Sequence, residues 1–143
     1  MTPVYSCREK GRMAEAEVCR RFRALGFSVL AANYFVPSLG ELDLILNRGR
    51  FLYFVEVKSV FAPACRLPAA LFGSTPDPDG DSFPHLPDPL QQISPIKLQR
   101  IRQTAAAYIR HHQMMRYWPA FWAVGCRMSS DGRLKSWQVV PMA

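Results

Sequence analysis

From Gly11 to Leu25 the apolar residues Ala14, Val18, Phe22 and Leu25 recur at helical spacing, while Arg12, Arg20, Arg21 and Arg23 fall between them. That period predicts an amphipathic helix, which Gly26 ends. Phe27 to Ala32 reads as a strand that leads, through Asn33 to Leu39, into two runs of alternating pattern, Gly40 to Leu46 and Phe51 to Lys58. Asn47-Arg48-Gly49-Arg50 joins those runs as a tight antiparallel turn, with Gly49 able to take positive φ. From Phe61 to Ile93 no period is sustained, and Pro63, Pro68, Pro76, Pro78, Pro84, Pro87 and Pro89 mark a long loop, mobile at its acidic centre. Ser94-Pro95 then opens a second helix with a capping residue and a first-turn proline. Its buried stripe is Leu98, Ile101, Ala105, Tyr108 and Ile109, and it ends near His112. Ala120 to Met128 and Leu134 to Val140 are two more strands around the turn Ser129 to Arg133. The order α-β-β-β-α-β-β predicts an α/β fold, with residues 1–143 forming one domain.

The two alternating runs carry charges that strands do not usually hold. Side chains alternate faces with a period of two, so Leu42, Leu44 and Leu46 share one face of the first run, as do Tyr53, Val55 and Val57 of the second. The other faces carry Glu41, Asp43 and Ile45, then Phe54, Glu56 and Lys58. With a loop of Arg48-Gly49, Asp43 lies opposite Phe54 and diagonal to Glu56; with a loop of Arg48 to Phe51, it lies directly opposite Glu56. Both registers put Asp43, Glu56 and Lys58 on one face. Carboxylates so placed have Cβ atoms roughly 5 to 7 Å apart and repel each other. A divalent cation between them removes the conflict, and magnesium typically takes one or two protein carboxylates, several waters and substrate phosphate oxygens. Lys58 is then positioned to orient an attacking water or stabilise charge on a phosphorane. The plain alternative is a wet sheet edge whose Glu41 and Lys58 are solvated strand-end charges.

Charge favours a polyanionic partner. The chain has 18 Lys and Arg against 11 Asp and Glu, a formal net charge of +7. Most of the basic residues are arginine, which suits bidentate phosphate contacts. The excess is concentrated, because Asp77, Asp79, Asp81 and Asp88 all fall in the stretch from Ser74 to Gln92, which has no basic residue. Nucleic acid fits this balance better than a membrane, since no long basic amphipathic helix with bulky aromatics is present. Cys7, Cys19, Cys65 and Cys126 form no CxxC and read as reduced thiols; with no apolar leader and no run of membrane-spanning length, the expected compartment is the cytoplasm. His111 and His112 are adjacent, so on a helix they cannot share a metal.

Gly11-Arg12-Met13-Ala14-Glu15, the Gly26-Phe27 step, Asn33, Gly40-Glu41-Leu42-Asp43-Leu44-Ile45, Phe54-Val55-Glu56-Val57-Lys58 and Lys97 together resemble the YraN-like family of small bacterial proteins. That family belongs to the restriction-endonuclease-like (PD-(D/E)xK) superfamily and is similar to archaeal Holliday junction resolvases. The resemblance implies a mixed β-sheet flanked by helices, with Asp43 and Glu56 as ligands for Mg2+ or Mn2+, Lys58 as the catalytic lysine and Glu15 as an accessory catalytic carboxylate. It implies an endonuclease that hydrolyses DNA phosphodiesters, with branched or damaged DNA as the expected substrate. Arg12, Arg20, Lys97 and Arg100, on the two helices, are the candidates for holding the nucleic-acid backbone. A homodimer is attractive because junction resolvases cut symmetrically, although no residue compels one. Val60 stands where the family usually has a basic residue, and Ala120-Phe121-Trp122 where it usually has Arg-Phe-Asp. The alternative reading is a non-catalytic nucleic-acid-binding module or accessory subunit with the same fold.

Overall fold

The computed structural model describes residues 4–62 and 88–142. Helix α1, Cys7–Ala24, starts earlier than its apolar stripe because a capping box sets its beginning. The Ser6 hydroxyl accepts the Glu9 N–H, and the Glu9 carboxylate accepts the Ser6 N–H. Three strands follow, β1 (Ser28–Val36), β2 (Gly40–Arg48) and β3 (Phe51–Phe61). After a 3-10 turn at Pro89–Gln92 come helix α2 (Pro95–His111) and strands β4 (Trp118–Met128) and β5 (Leu134–Pro141). The element order is the expected one, with each strand longer than the pattern suggested. The centre of the expected Phe61 to Ile93 loop, residues 63–87, lies outside the described residues, as does the predicted thiol Cys65.

The five strands form one mixed sheet in the order β1-β2-β3-β4-β5, antiparallel throughout except for the parallel β3–β4 pair. A parallel neighbour requires a crossover, and α2 lies in it. The two helices cover opposite faces. On one, Ala14, Val18 and Phe22 of α1 pack against Leu44, Leu46, Val55, Val124, Cys126 and Met128. On the other, Ile101, Ala105 and Tyr108 of α2 pack against Leu42, Ile45, Leu52 and Phe54. Phe22 stacks on Trp122, which lies 4.1 Å from Tyr53 between ring centroids. Trp122 thus joins a cluster of aromatic rings with Phe22, Phe27 and Tyr53.

The turn between β2 and β3 selects one register. Arg48 pairs with Phe51 and Leu44 with Val55, and Gly49 takes φ +58° as expected. This is the register that brings Asp43 toward Glu56, one position beyond the last pair of the ladder. One face assignment is corrected. Leu42 packs beneath α2 with Ile45, not beneath α1 with Leu44 and Leu46. The cause lies in β1, where Asn33 adopts φ +53° between the Ala32–Leu44 and Tyr34–Leu42 pairs. Asparagine tolerates this conformation, but it breaks the regular pleat, so the residues on either side of Asp43 point to different faces. Asp43 thus stands at the changeover, within reach of groups from both helices.

Candidate active site

The β2–β3 ladder closes at Leu44–Val55, whereas β3 stays paired with β4 as far as Phe61. Beyond the last pair the strands fork, and Asp43 and Glu56 occupy the fork. The Asp43 carboxylate accepts the Val57 N–H at 2.8 Å, so the side chain satisfies a donor that the departing strand no longer can.

Glu56 is only 2% exposed. Both lysines approach the same oxygen of its carboxylate: Lys58 Nζ stands 3.6 Å and Lys97 Nζ 3.4 Å from Oε1. Among the described residues the other oxygen, Oε2, is buried without a hydrogen-bond partner, and so is Oε2 of Glu15. Such bare buried oxygens are costly, on the order of 1–3 kcal/mol and more for a charged group, so their presence calls for a missing partner.

The local field pushes protons onto these acids. Burial, then the Glu56 charge, lifts Asp43 to about 7, against the opposing Val57 N–H and Lys97; a hydrogen bond with Glu56 adds to the rise. Burial, then Asp43, lifts Glu15 to about 7 as well; Asn33 hydrogen-bonds it and opposes the rise, Glu41 adds to it and Arg12 opposes it. Like charges held this close with little water around them make each other's ionised form costly. On the α1 side a cleft of about 280 Å³ opens at Glu15, lined also by Arg12, Cys19, Ala32 and Asn33.

The fold therefore brings together Glu15, Asp43, Glu56 and Lys58, with Arg12 at the border. Lys97, expected among backbone-holding residues, instead reaches the carboxylate at the centre. Arg100 is exposed on α2 near Gly40, while Arg20 is exposed on α1 and paired with Glu17. Neither touches the acid pair among the contacts described. Asn33 carries a role that sequence reasoning did not assign, as the hydrogen-bond partner of Glu15 and the cause of the pleat break. An asparagine inside a strand-like run, between Ala32 and Tyr34, was the available signal, since asparagine is enriched at positive φ.

Among the described residues no three His, Cys, Asp or Glu side chains form a metal-holding cluster. The residues present nonetheless fit a hard divalent ion of the magnesium type. Such ions need only one or two protein carboxylates, and here two sit together, one of them with a buried oxygen that has no hydrogen-bond partner among the described residues. The fold and the fork define a class: an α/β protein whose mixed sheet opens between β2 and β3 to hold a buried acid pair beside two lysines.

The chain belongs to the uncharacterised protein family UPF0102, also described as YraN-like, whose model matches residues 14–128 and so spans every residue of the fork. It is 32% identical over 102 residues to a UPF0102 protein of Helicobacter pylori strain P12, covering 71% of this chain and 68% of that one. A UPF0102 protein of Wolinella succinogenes is 30% identical over 107 residues, 75% of this chain and 76% of its own. One from Helicobacter hepaticus is 28% identical over 75% of this chain and 74% of its own. Among the described residues no helix is long and apolar enough to cross a membrane.

Proposed function

We propose that this protein is a divalent-metal-dependent endonuclease with the restriction-endonuclease-like fold, hydrolysing phosphodiesters of branched or damaged DNA. The observation that carries the reading is the buried Oε2 of Glu56, without a hydrogen-bond partner among the described residues, next to the Asp43 carboxylate at the strand fork. Asp43 and Glu56 would hold magnesium or manganese, with Glu15 as the accessory carboxylate. The bound ion would supply charge for the phosphoryl oxygens and a more acidic water.

The chain's own residues do the rest. In hydrolysis a water oxygen bonds to phosphorus while one ester P–O bond breaks; the water releases a proton and the departing oxygen takes one up. Lys58 orients that water, and its ammonium offsets the charge that accumulates on phosphorus oxygens. Arg12 at the cleft mouth and Arg100 on the exposed side of α2 meet backbone phosphates to either side. The net charge of +7 draws the polyanion in.

The test is a nicking assay on linear and four-way DNA with magnesium or manganese. Asp43→Ala and Glu56→Ala are each expected to abolish cleavage while circular dichroism shows a retained fold. Undiminished cleavage by both variants would overturn the reading. Salt-sensitive DNA binding with no cleavage under any divalent metal would replace it with a binding module of the same fold.

A further inference from the structure

Lys97 is the third residue of α2, and its N–H donates to the Ser94 capping hydroxyl at 3.1 Å. The first turn of α2 contains no acidic residue. A cation there opposes the helix dipole, by about 0.3–1 kcal/mol, so local helix stability does not account for it. The helix is also held close to the sheet. Gly40 has φ +141°, and a Cβ at that position would lie 3.7 Å from Thr104 Oγ1 and 4.0 Å from Arg100 Cβ. This seat over the start of β2 sets the α2 N-terminus at the mouth of the fork.

Lys97 could serve only as a counter-ion for Glu56, and the geometry argues for more. Charge-assisted N–H···O bonds close to about 2.7–2.9 Å, whereas both ammonium groups stop short, at 3.4 and 3.6 Å. Both face one oxygen. Among the described residues one carboxylate thus has two loosely held ammonium groups at one oxygen and no hydrogen-bond partner at the other. The arrangement suits a carboxylate shared between a cation at Oε2 and two ammonium groups that also serve an anion. Lys58 and Lys97 keep 27% and 36% of their side-chain surface exposed, so an anion from solvent can reach them. Lys97 itself stands in the first turn of α2, at the end of the helix where backbone N–H groups favour an anion.

We propose that Lys97 is a second catalytic lysine, and that its ammonium and that of Lys58 together grip the non-bridging oxygens of the phosphate being cut. This rests on the nuclease reading above and sharpens it. Both side chains act by charge, so the bond changes of hydrolysis are unaltered.

The test compares Lys97→Met, Lys97→Arg and Lys58→Met with the wild type. Cleavage of DNA is followed in magnesium, and binding of inorganic phosphate is followed by phosphorus NMR in magnesium and in EDTA. Lys97→Met is expected to lower kcat by about 100- to 1,000-fold, with KM for DNA changed by less than about 3-fold. Lys97→Arg should regain part of that loss, and phosphate affinity should fall about 10-fold or more in Lys97→Met. Should Lys97→Met fail to fold, Lys97→Gln, which can still donate to Glu56, takes its place. A variant with a changed melting temperature but wild-type kcat and phosphate affinity would make Lys97 a counter-ion only and overturn the proposal. If the wild type cuts no DNA, the nuclease reading falls and phosphate binding decides alone: its loss in Lys97→Met upholds the two-lysine seat, and its persistence refutes it.

Discussion

Replacing Asp43 by asparagine separates the stability of the fork from its function. In the folded protein Asp43 gives up its proton at about 7 against an ordinary 3.8. Between those values the folded chain holds a proton that the unfolded chain has released. Stability without metal therefore falls as pH rises through that window, from about 4 to about 7. At 1.36 kcal/mol per unit, holding the charge above the window costs the native state up to about 4 kcal/mol. Glu15 acts in the same direction. Asparagine removes the titration yet keeps a carbonyl oxygen for the Val57 N–H. In urea denaturation followed by tryptophan fluorescence in EDTA, Asp43→Asn should match the wild type within about 1 kcal/mol near pH 4 and exceed it by roughly 2–4 kcal/mol at pH 8. Magnesium should reverse the order, raising the wild-type midpoint by mass action and leaving the variant unmoved. The reasoning fails if the difference between the two proteins does not change with pH, or if asparagine is as destabilising at pH 8 as at pH 4.

Other expectations follow from the same contacts. Phe22→Ala empties the aromatic cluster under α1 and should cost about 3–5 kcal/mol in denaturant unfolding. Gly125→Ala would set a Cβ 2.9 Å from Pro89 Cγ and 3.0 Å from Leu90 Cγ, so it should lower stability by about 1–3 kcal/mol and loosen the 3-10 turn to hydrogen exchange. Cys126 is buried and its thiol is pushed up to about 12, whereas Cys7 is exposed; peptide mapping after native alkylation should find Cys7 labelled and Cys126 protected until the protein unfolds.

Much of the fork was legible in the sequence because period-two arithmetic is local. Glu56 and Lys58 fall on one face of β3, and the Gly49 turn narrowed Asp43 to two positions, of which the structure takes the one toward Glu56. The face of Leu42 was not legible, because it depends on the positive φ of Asn33 in the neighbouring strand, and alternation within β2 has no record of that. Glu15 could be placed only on the border of the α1 stripe; its approach to Asp43 depends on how the helix lies across the sheet. The start of α1 was legible in principle, since Ser6-Cys7-Arg8-Glu9 has the capping-box spacing, but apolar periodicity passes over it. Lys97 was the hardest residue to place. Its contact with Glu56 spans forty-one positions and depends on α2 settling over Gly40, a tertiary arrangement that no window along the chain contains.

The proposed function depends on the acid pair at the fork holding a metal ion. Crystals soaked in manganese and measured for anomalous scattering test it most directly. One strong peak is expected within coordinating distance of both the Asp43 and Glu56 carboxylates, lost in Glu56→Gln. Lysines remaining on Glu56 with no peak between the two carboxylates, at manganese concentrations that saturate other magnesium sites, would contradict it.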